Sequence, residues 1–137
     1  MRHDDCIFCK IANGEIPSAT IYEDDDFRAF LDLNPATRGH ALLVPKDHFA
    51  NLLELDEEHA EKAILLAKKI GSRLKEKLGC DGLNLVQNNG EAAGQTVFHF
   101  HMHLIPRYKD DHAGILWEPG KTTPEEMEKI KKLVNED

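Results

Sequence analysis

Positive charge is in short supply in this sequence, and so are sulfur, aromatic side chains and long apolar runs. Against 25 Asp and Glu stand 17 Lys and Arg, a formal charge of −8. A chain this acidic argues against a nucleic-acid backbone or an anionic membrane as its main partner. A small anionic ligand is still open to it, provided the site gathers positive potential locally. No apolar stretch approaches the ~20 residues that cross a bilayer, and Met1-Arg2-His3-Asp4-Asp5 has no apolar signal core behind it. The expected compartment is the cytoplasm. There are only 3 cysteines, two of them paired as Cys6 and Cys9 in "CIFC". In a reducing compartment a C-x-x-C suits metal or redox chemistry better than a structural disulfide. Cys80, alone near a helix end, reads as a partly buried thiol. Repeats and low-complexity tracts are absent, and 137 residues are enough for one core. The expectation is one domain over 1–137.

What is present reads as strands interrupted by one long helix. "DCIFCKIANGEIP" gives a first short helix that stops at Gly14 with Pro17 beyond. "SATIYEDDDFRAFLDLNP" is a hairpin with an acidic turn at Asp24 to Asp26, and "GHALLVPKDH" (39–48) a short buried strand. From Asp56 to Leu78, Ala60, Ala63, Ile64, Ala67, Ile70, Leu74 and Leu78 recur at three-and-four spacing. That predicts a helix capped by Asp56, stopped by Gly79 and packed on the core along this stripe. "GLNLVQNN" is a further strand. Near the end, Thr123, Pro124 and Glu126 set up a capping box for a helix over 124–135 with an apolar edge of Met127, Ile130 and Leu133 or Val134. The class is α+β with a mostly antiparallel sheet. Lone Trp117 reads as a residue that closes over a substrate or packs against a partner subunit, packing being the commoner use, and His3, His59 and His112 as histidines without a special role.

The chemistry gathers in "VFHFHMHLIPR". Read as one strand with period-two alternation, it puts His99, His101 and His103 on one face and Phe98, Phe100, Met102 and Leu104 on the other. Three imidazoles about 6.6 Å apart along a strand can bind a metal, bracket a phosphate or supply a nucleophile. Solvent-facing filler is a poor account of them. The preceding turn, "NNGEAAGQT", favours phosphate. Gly90 and Gly94 bring backbone N–H groups towards an anion, and Asn88, Gln95 and Thr96 add polar side chains. By itself the same turn is an ordinary hairpin loop.

"HFHMHLI" resembles the signature of the histidine-triad family, histidines alternating with hydrophobic residues. "CIFCKIANGEIPSATIYEDDDFRAFLDLNPATRGHALLVPKDH" resembles that family's amino-terminal half and "GQTVFHFHMHLIPR" its active-site strand, so the likeness runs over 6–107. The "WEPGKTTPEEM" tail is similar to prokaryotic-type members. The resemblance implies a five-stranded, mostly antiparallel sheet with one long helix and shorter terminal helices. It implies an enzyme that cleaves at the α-phosphate of purine nucleotide conjugates through a nucleotidyl-histidine. His101 is then the nucleophile, His103 the contact to phosphate oxygens and leaving group, and His40 the upstream histidine beside them. Asp32 and Leu33 fall around the ribose and base, Phe8 on the base side, and Asn88, Gly94, Gln95 and Thr96 on the phosphate loop. An imidazole titrating near pH 6.5 suits a nucleophile at neutral pH.

The resemblance also implies a zinc site of Cys6, Cys9, His48 and His99, a closed Cys₂His₂ set of the structural kind; the spacing alone is not a zinc-finger pattern. It further implies a two-fold homodimer joined through the long helix and the 83–88 strand. Nucleoside phosphoramidase activity is the leading expectation and dinucleoside polyphosphate hydrolysis the close alternative. From another class comes a nucleotide- or metal-binding module without catalysis, against which intact His101 and His103 speak. The chain is too short for the uridylyltransferase branch.

Overall fold

The structure is a computed structural model and describes residues 2–136. Its elements run α1 (Ile7–Ala12), β1 (Thr20–Glu23), β2 (Phe27–Leu31), β3 (Ala41–Pro45), α2 (Glu57–Leu78), β4 (Gly82–Val86), β5 (Met102–Arg107) and α3 (Pro124–Asn135). The five strands form one sheet in the order β1-β2-β3-β5-β4, with every pairing antiparallel. The expected α+β class and five-stranded sheet are therefore what the chain adopts.

β3 sits at the centre and is buried along its whole length, which is why it reads as an unbroken apolar run. One face packs on α2, where Phe27, Leu43, Phe100 and Leu104 meet Ala63, Leu66, Ala67, Ile70 and Leu74. The other face carries Phe30, Leu42 and Val44 against Ala12, with Phe8 and Ile11 of α1 beside them. Among the described residues no helix is long and apolar enough to cross a membrane.

The helix ends follow their capping residues. The Asp56 side chain accepts from the His59 N–H at 2.8 Å, and Gly79 closes α2 in the left-handed conformation, φ 65°. The Thr123 hydroxyl accepts from the Glu126 N–H at the start of α3.

Two expectations need correcting. The histidine segment is not one strand: pairing with β3 begins only at Met102. The Phe100 N–H instead donates to the Phe49 carbonyl at 2.6 Å, and this tie turns the chain before the ladder starts. Phe98 accordingly lies exposed, while Phe100 is buried. Ile64 of the α2 stripe is also exposed, because it lies on the helix flank; Leu66 takes the core position. Trp117 is 84% exposed. The apolar edge of α3 is likewise uncovered, every residue of that helix being exposed.

Candidate active site

The turn before β5 sends successive histidines to different places. The His99 ring is fully buried beneath α1. Its Nδ1 lies 3.3 Å from Cys6 Sγ and 3.4 Å from Cys9 Sγ, and His48 Nδ1 lies 3.4 Å from Cys9 Sγ. All four ligand atoms fall within 4.8 Å of one another. In a tetrahedral zinc site, sulfur and nitrogen ligands stand about 3.6 Å apart, so the spacing fits. The protonation pattern fits as well. His99 Nε2 faces the Pro45 carbonyl at 2.8 Å; it must carry the proton there, which turns the Nδ1 lone pair to the thiols. Ligand histidines are held in this way by a second hydrogen bond. Burial holds the His99 pKa down at about 4 and pushes the Cys9 thiol up, and a cation among the ligands favours the thiolate. The short α1 that presents both sulfurs is capped by one of them, Cys6 Sγ accepting from the Cys9 N–H. His3 stacks on His48 with centroids 3.8 Å apart, so the role-free reading of His3 misses a residue that covers this cluster.

His101 is also buried, but it turns towards Phe8 on the α1 side of the sheet. Its Nδ1 donates to the His99 carbonyl at 2.7 Å, leaving a lone pair on Nε2. The ring of Phe8 meets it edge-on at 4.9 Å, and the His103 ring lies 5.1 Å away. Burial lowers the His101 pKa; the His99 carbonyl and the Asp32 charge oppose that shift. The ring is thus a neutral imidazole with one free nitrogen.

His103 belongs to β5 and pairs opposite Leu42. Its Nδ1 is 2.9 Å from His40 Nε2, and the Ala36 N–H donates to His40 Nδ1 at 2.9 Å. These two contacts fix both tautomers. Because His40 Nδ1 accepts, His40 carries its proton on Nε2 and gives it to His103 Nδ1; His103 must then carry its own proton on Nε2. Burial, then the neighbouring His101 and His40, lower the His103 pKa to about 4, and burial lowers that of His40.

Asp32, His40 and His103 likewise lie within 4.8 Å of one another, with Asp32 Oδ2 3.7 Å from His40 Nε2. This second group is not wired for a metal. The nitrogen of His40 that faces its partners bears the proton, the reverse of His99.

The phosphate loop differs from its expected use. The Gly90 N–H donates to Gln95 Oε1 and the Gly94 N–H to the Glu91 carbonyl. Gln95, only 2% exposed, also donates to the carbonyls of Ala50 and Val97. Gly94 (φ 95°) and Gln95 therefore shape the loop with groups already spent inside it. The Asn88 amide and Thr96 hydroxyl make no hydrogen bond among the described residues and remain free for a ligand. Leu33 is 95% exposed, next to half-buried Asp32.

Besides His3, the residues that sequence reasoning missed act through their backbone: the Ala36 N–H and the carbonyls of Pro45, Phe49 and His99. No side-chain pattern reports them.

Comparison with known proteins places these observations. The HIT domain model matches residues 13–110. The protein hit of Bacillus subtilis is 43% identical over 96% of this chain and 92% of its own length. The adenosine 5'-monophosphoramidase of Schizosaccharomyces pombe is 38% identical, over 91% of this chain and 92% of its own. Among solved structures, a Streptococcus mutans protein superposes with a TM-score of 0.91 at 41% identity, covering 96% of this chain and 84% of its own. A zinc-bound histidine triad family protein from Mycobacterium smegmatis superposes with a TM-score of 0.77 at 38% identity, covering 85% and 84%.

Proposed function

Because the chain belongs to the HIT family, we propose that it hydrolyses purine nucleotide conjugates at the α-phosphorus, nucleoside phosphoramidates foremost, through a covalent adduct on His101. The observation that carries this reading is the free Nε2 of His101, left by the donation of Nδ1 to the His99 carbonyl at 2.7 Å. It stands beside His103, whose tautomer presents an N–H. The phosphoramidase named among the relatives supports the substrate class.

In the first step His101 Nε2 attacks phosphorus, the bond to the leaving nitrogen breaks, and the nucleotidyl group is held on the imidazole. The His99 carbonyl accepts a hydrogen bond from the Nδ1–H and so stabilises the positive charge that develops on the ring. His103 Nε2–H, Asn88 and Thr96 donate to the phosphoryl oxygens. The His40 relay ends at a backbone N–H, which has no proton to give. It therefore fixes the orientation of His103, and the amine leaves with a proton carried in on the substrate's own nitrogen. Water then attacks the adduct, the nucleoside monophosphate departs, one proton passes to solvent, and His101 returns neutral. Asp32 hydrogen-bonds ribose hydroxyls, while Phe8 and Leu33 flank the base.

Zinc, bound by Cys6, Cys9, His48 and His99, is structural in this reading, pinning α1 to the segment that holds the nucleophile. Two chains pair across a two-fold, with the β4 edge and the adjoining exposed Ile64, Leu83 and Leu85 as the joint.

The test is turnover of adenosine phosphoramidate against diadenosine polyphosphate, with acid-quenched protein mass. Phosphoramidate is expected to turn over faster, and an adenylyl mass to appear on wild type alone. His101→Ala should bind adenosine monophosphate normally yet lose turnover by on the order of 10⁴-fold or more. Wild-type turnover in that variant would overturn the assignment.

A further inference from the structure

A groove of about 680 Å³ runs between α2 and the β1–β2 edge, across the sheet from α1 and His101. Pockets for small molecules measure about 300–1,000 Å³. The floor is apolar, with Ile21, Leu31 and Leu74. Two of these are left open to water, Ile21 at 40% and Leu31 at 36% exposed.

The wall is cationic. Lys69, Arg73 and Lys77 stand at four-residue spacing along one flank of α2, Arg38 adds a further positive charge, and no acidic side chain lines the groove. Like charges at this spacing weaken a helix. Glu76 is three residues from Arg73 but does not relieve them, since Arg38, Arg73 and Lys77 have no ion pair among the described residues. In a chain of net charge −8, unpaired cations gathered around one groove make a local field for an anion. This flank also turns away from the β4 edge. Gly71 faces Leu83 of β4, and residues two apart on a helix point to opposite sides, which sends Arg73 the other way.

The groove has two unlike ends. At one, Lys69 lies over the Tyr22 ring, 5.3 Å from its centroid, and the Tyr22 hydroxyl donates to Asp24 at 2.7 Å. That end is aromatic and its cation is engaged. At the other, Gly39 meets Leu78, and their chain neighbours Arg38 and Lys77 both line the groove. Between the ends lie about 14 Å of α2. A matching ligand is long, apolar along most of its length and anionic at one end. A protein helix would fill roughly 1,100 Å³ or more over that distance, so a single alkyl chain suits the space better.

We propose that the groove binds a free long-chain carboxylate, its head between Arg38, Arg73 and Lys77 and its alkyl chain running along the floor towards Tyr22. Guanidinium groups suit such a head because their paired N–H groups match its two oxygens. The site lies across the sheet from His101 and is independent of the nucleotide chemistry.

Calorimetric titration of the full-length, zinc-loaded protein with octanoate, decanoate and dodecanoate, each below its micellar concentration, tests this. One site per chain is expected, with affinity rising about two- to fourfold for each added methylene. Arg73→Glu should weaken dodecanoate at least fivefold, and Ile21→Glu should do so from the floor. Lys68→Glu, exposed elsewhere on α2, is the charge-matched control and should bind as the parent does. Equal affinity in Arg73→Glu, or dodecanol binding as tightly as dodecanoate, would overturn the proposal. So would the absence of saturable binding by the monomeric carboxylates. If the protein then sedimented with phosphatidylglycerol vesicles instead, the face would belong to a membrane surface.

Discussion

At the scale of single residues, what matters is which nitrogen carries the proton. Three histidines at alternate positions use Nδ1 in three ways: to face thiols, to donate to a carbonyl and to accept from another histidine. His40→Ala should therefore leave nucleotide binding intact and lower turnover about five- to tenfold, the effect of one hydrogen bond of about 1 kcal/mol. His40→Gln, which can donate from Nε2, should recover most of it; a Gln variant as slow as Ala would show that packing, not the tautomer, is what His40 supplies. The low pKa of His103 has a consequence for stability. Between about 4 in the fold and the ordinary value near 6.5, the unfolded chain binds a proton that the folded chain refuses. Stability is therefore expected to fall as the pH drops through that window. Urea midpoints measured across it should show this slope, and His103→Asn should reduce it, leaving the part due to His99, which burial also holds at about 4.

At the scale of elements, the sites depend on close approach between helix and sheet. Gly39, just before His40, has φ 90°, and a Cβ there would sit 2.3 Å from Leu78 Cδ1. Gly39→Ala should cost about 2–4 kcal/mol, through both strain and overpacking. Gly71 makes a useful contrast. Its added Cβ would meet only the flexible Leu83 Cδ2, at 2.6 Å, and alanine gains about 1 kcal/mol in helix propensity. Gly71→Ala should stay within about 1 kcal/mol of the parent in the same urea assay.

Elements are also where sequence and structure part. The long helix was legible to within its caps, because Asp56 and Gly79 act locally. The hairpin and central strand were legible because their apolar pattern is periodic. The histidine segment was misread as one strand because the Phe100 to Phe49 tie joins backbone atoms distant in sequence, and alternation cannot report it. The same limit hid the Ala36 donor and the internal use of the Gly90 and Gly94 N–H groups.

At the scale of the whole molecule, the cluster of Cys6, Cys9, His48 and His99 joins three distant stretches of chain: α1 with its cap, the segment after β3 and the turn before β5. Because a metal that binds only the folded state adds its binding energy to stability, chelation or Cys9→Ser should lower Tm by about 10 °C or more. Calorimetry paired with elemental analysis checks this, and a chelated protein that melts unchanged would remove zinc from the account.

The turn at 99–101 has a consequence for how such a chain can change over generations. Adding or deleting one residue between His99 and His103 would rotate every later imidazole out of its place, since each ring is held by a different anchor: thiols, a carbonyl, another ring. The stretch can therefore drift in the identity of Phe100 or Met102 but not in length. Residues 112–123, exposed over most of their length, are free to lengthen or shorten. Relatives should differ by insertions in that tail and keep this five-residue spacing.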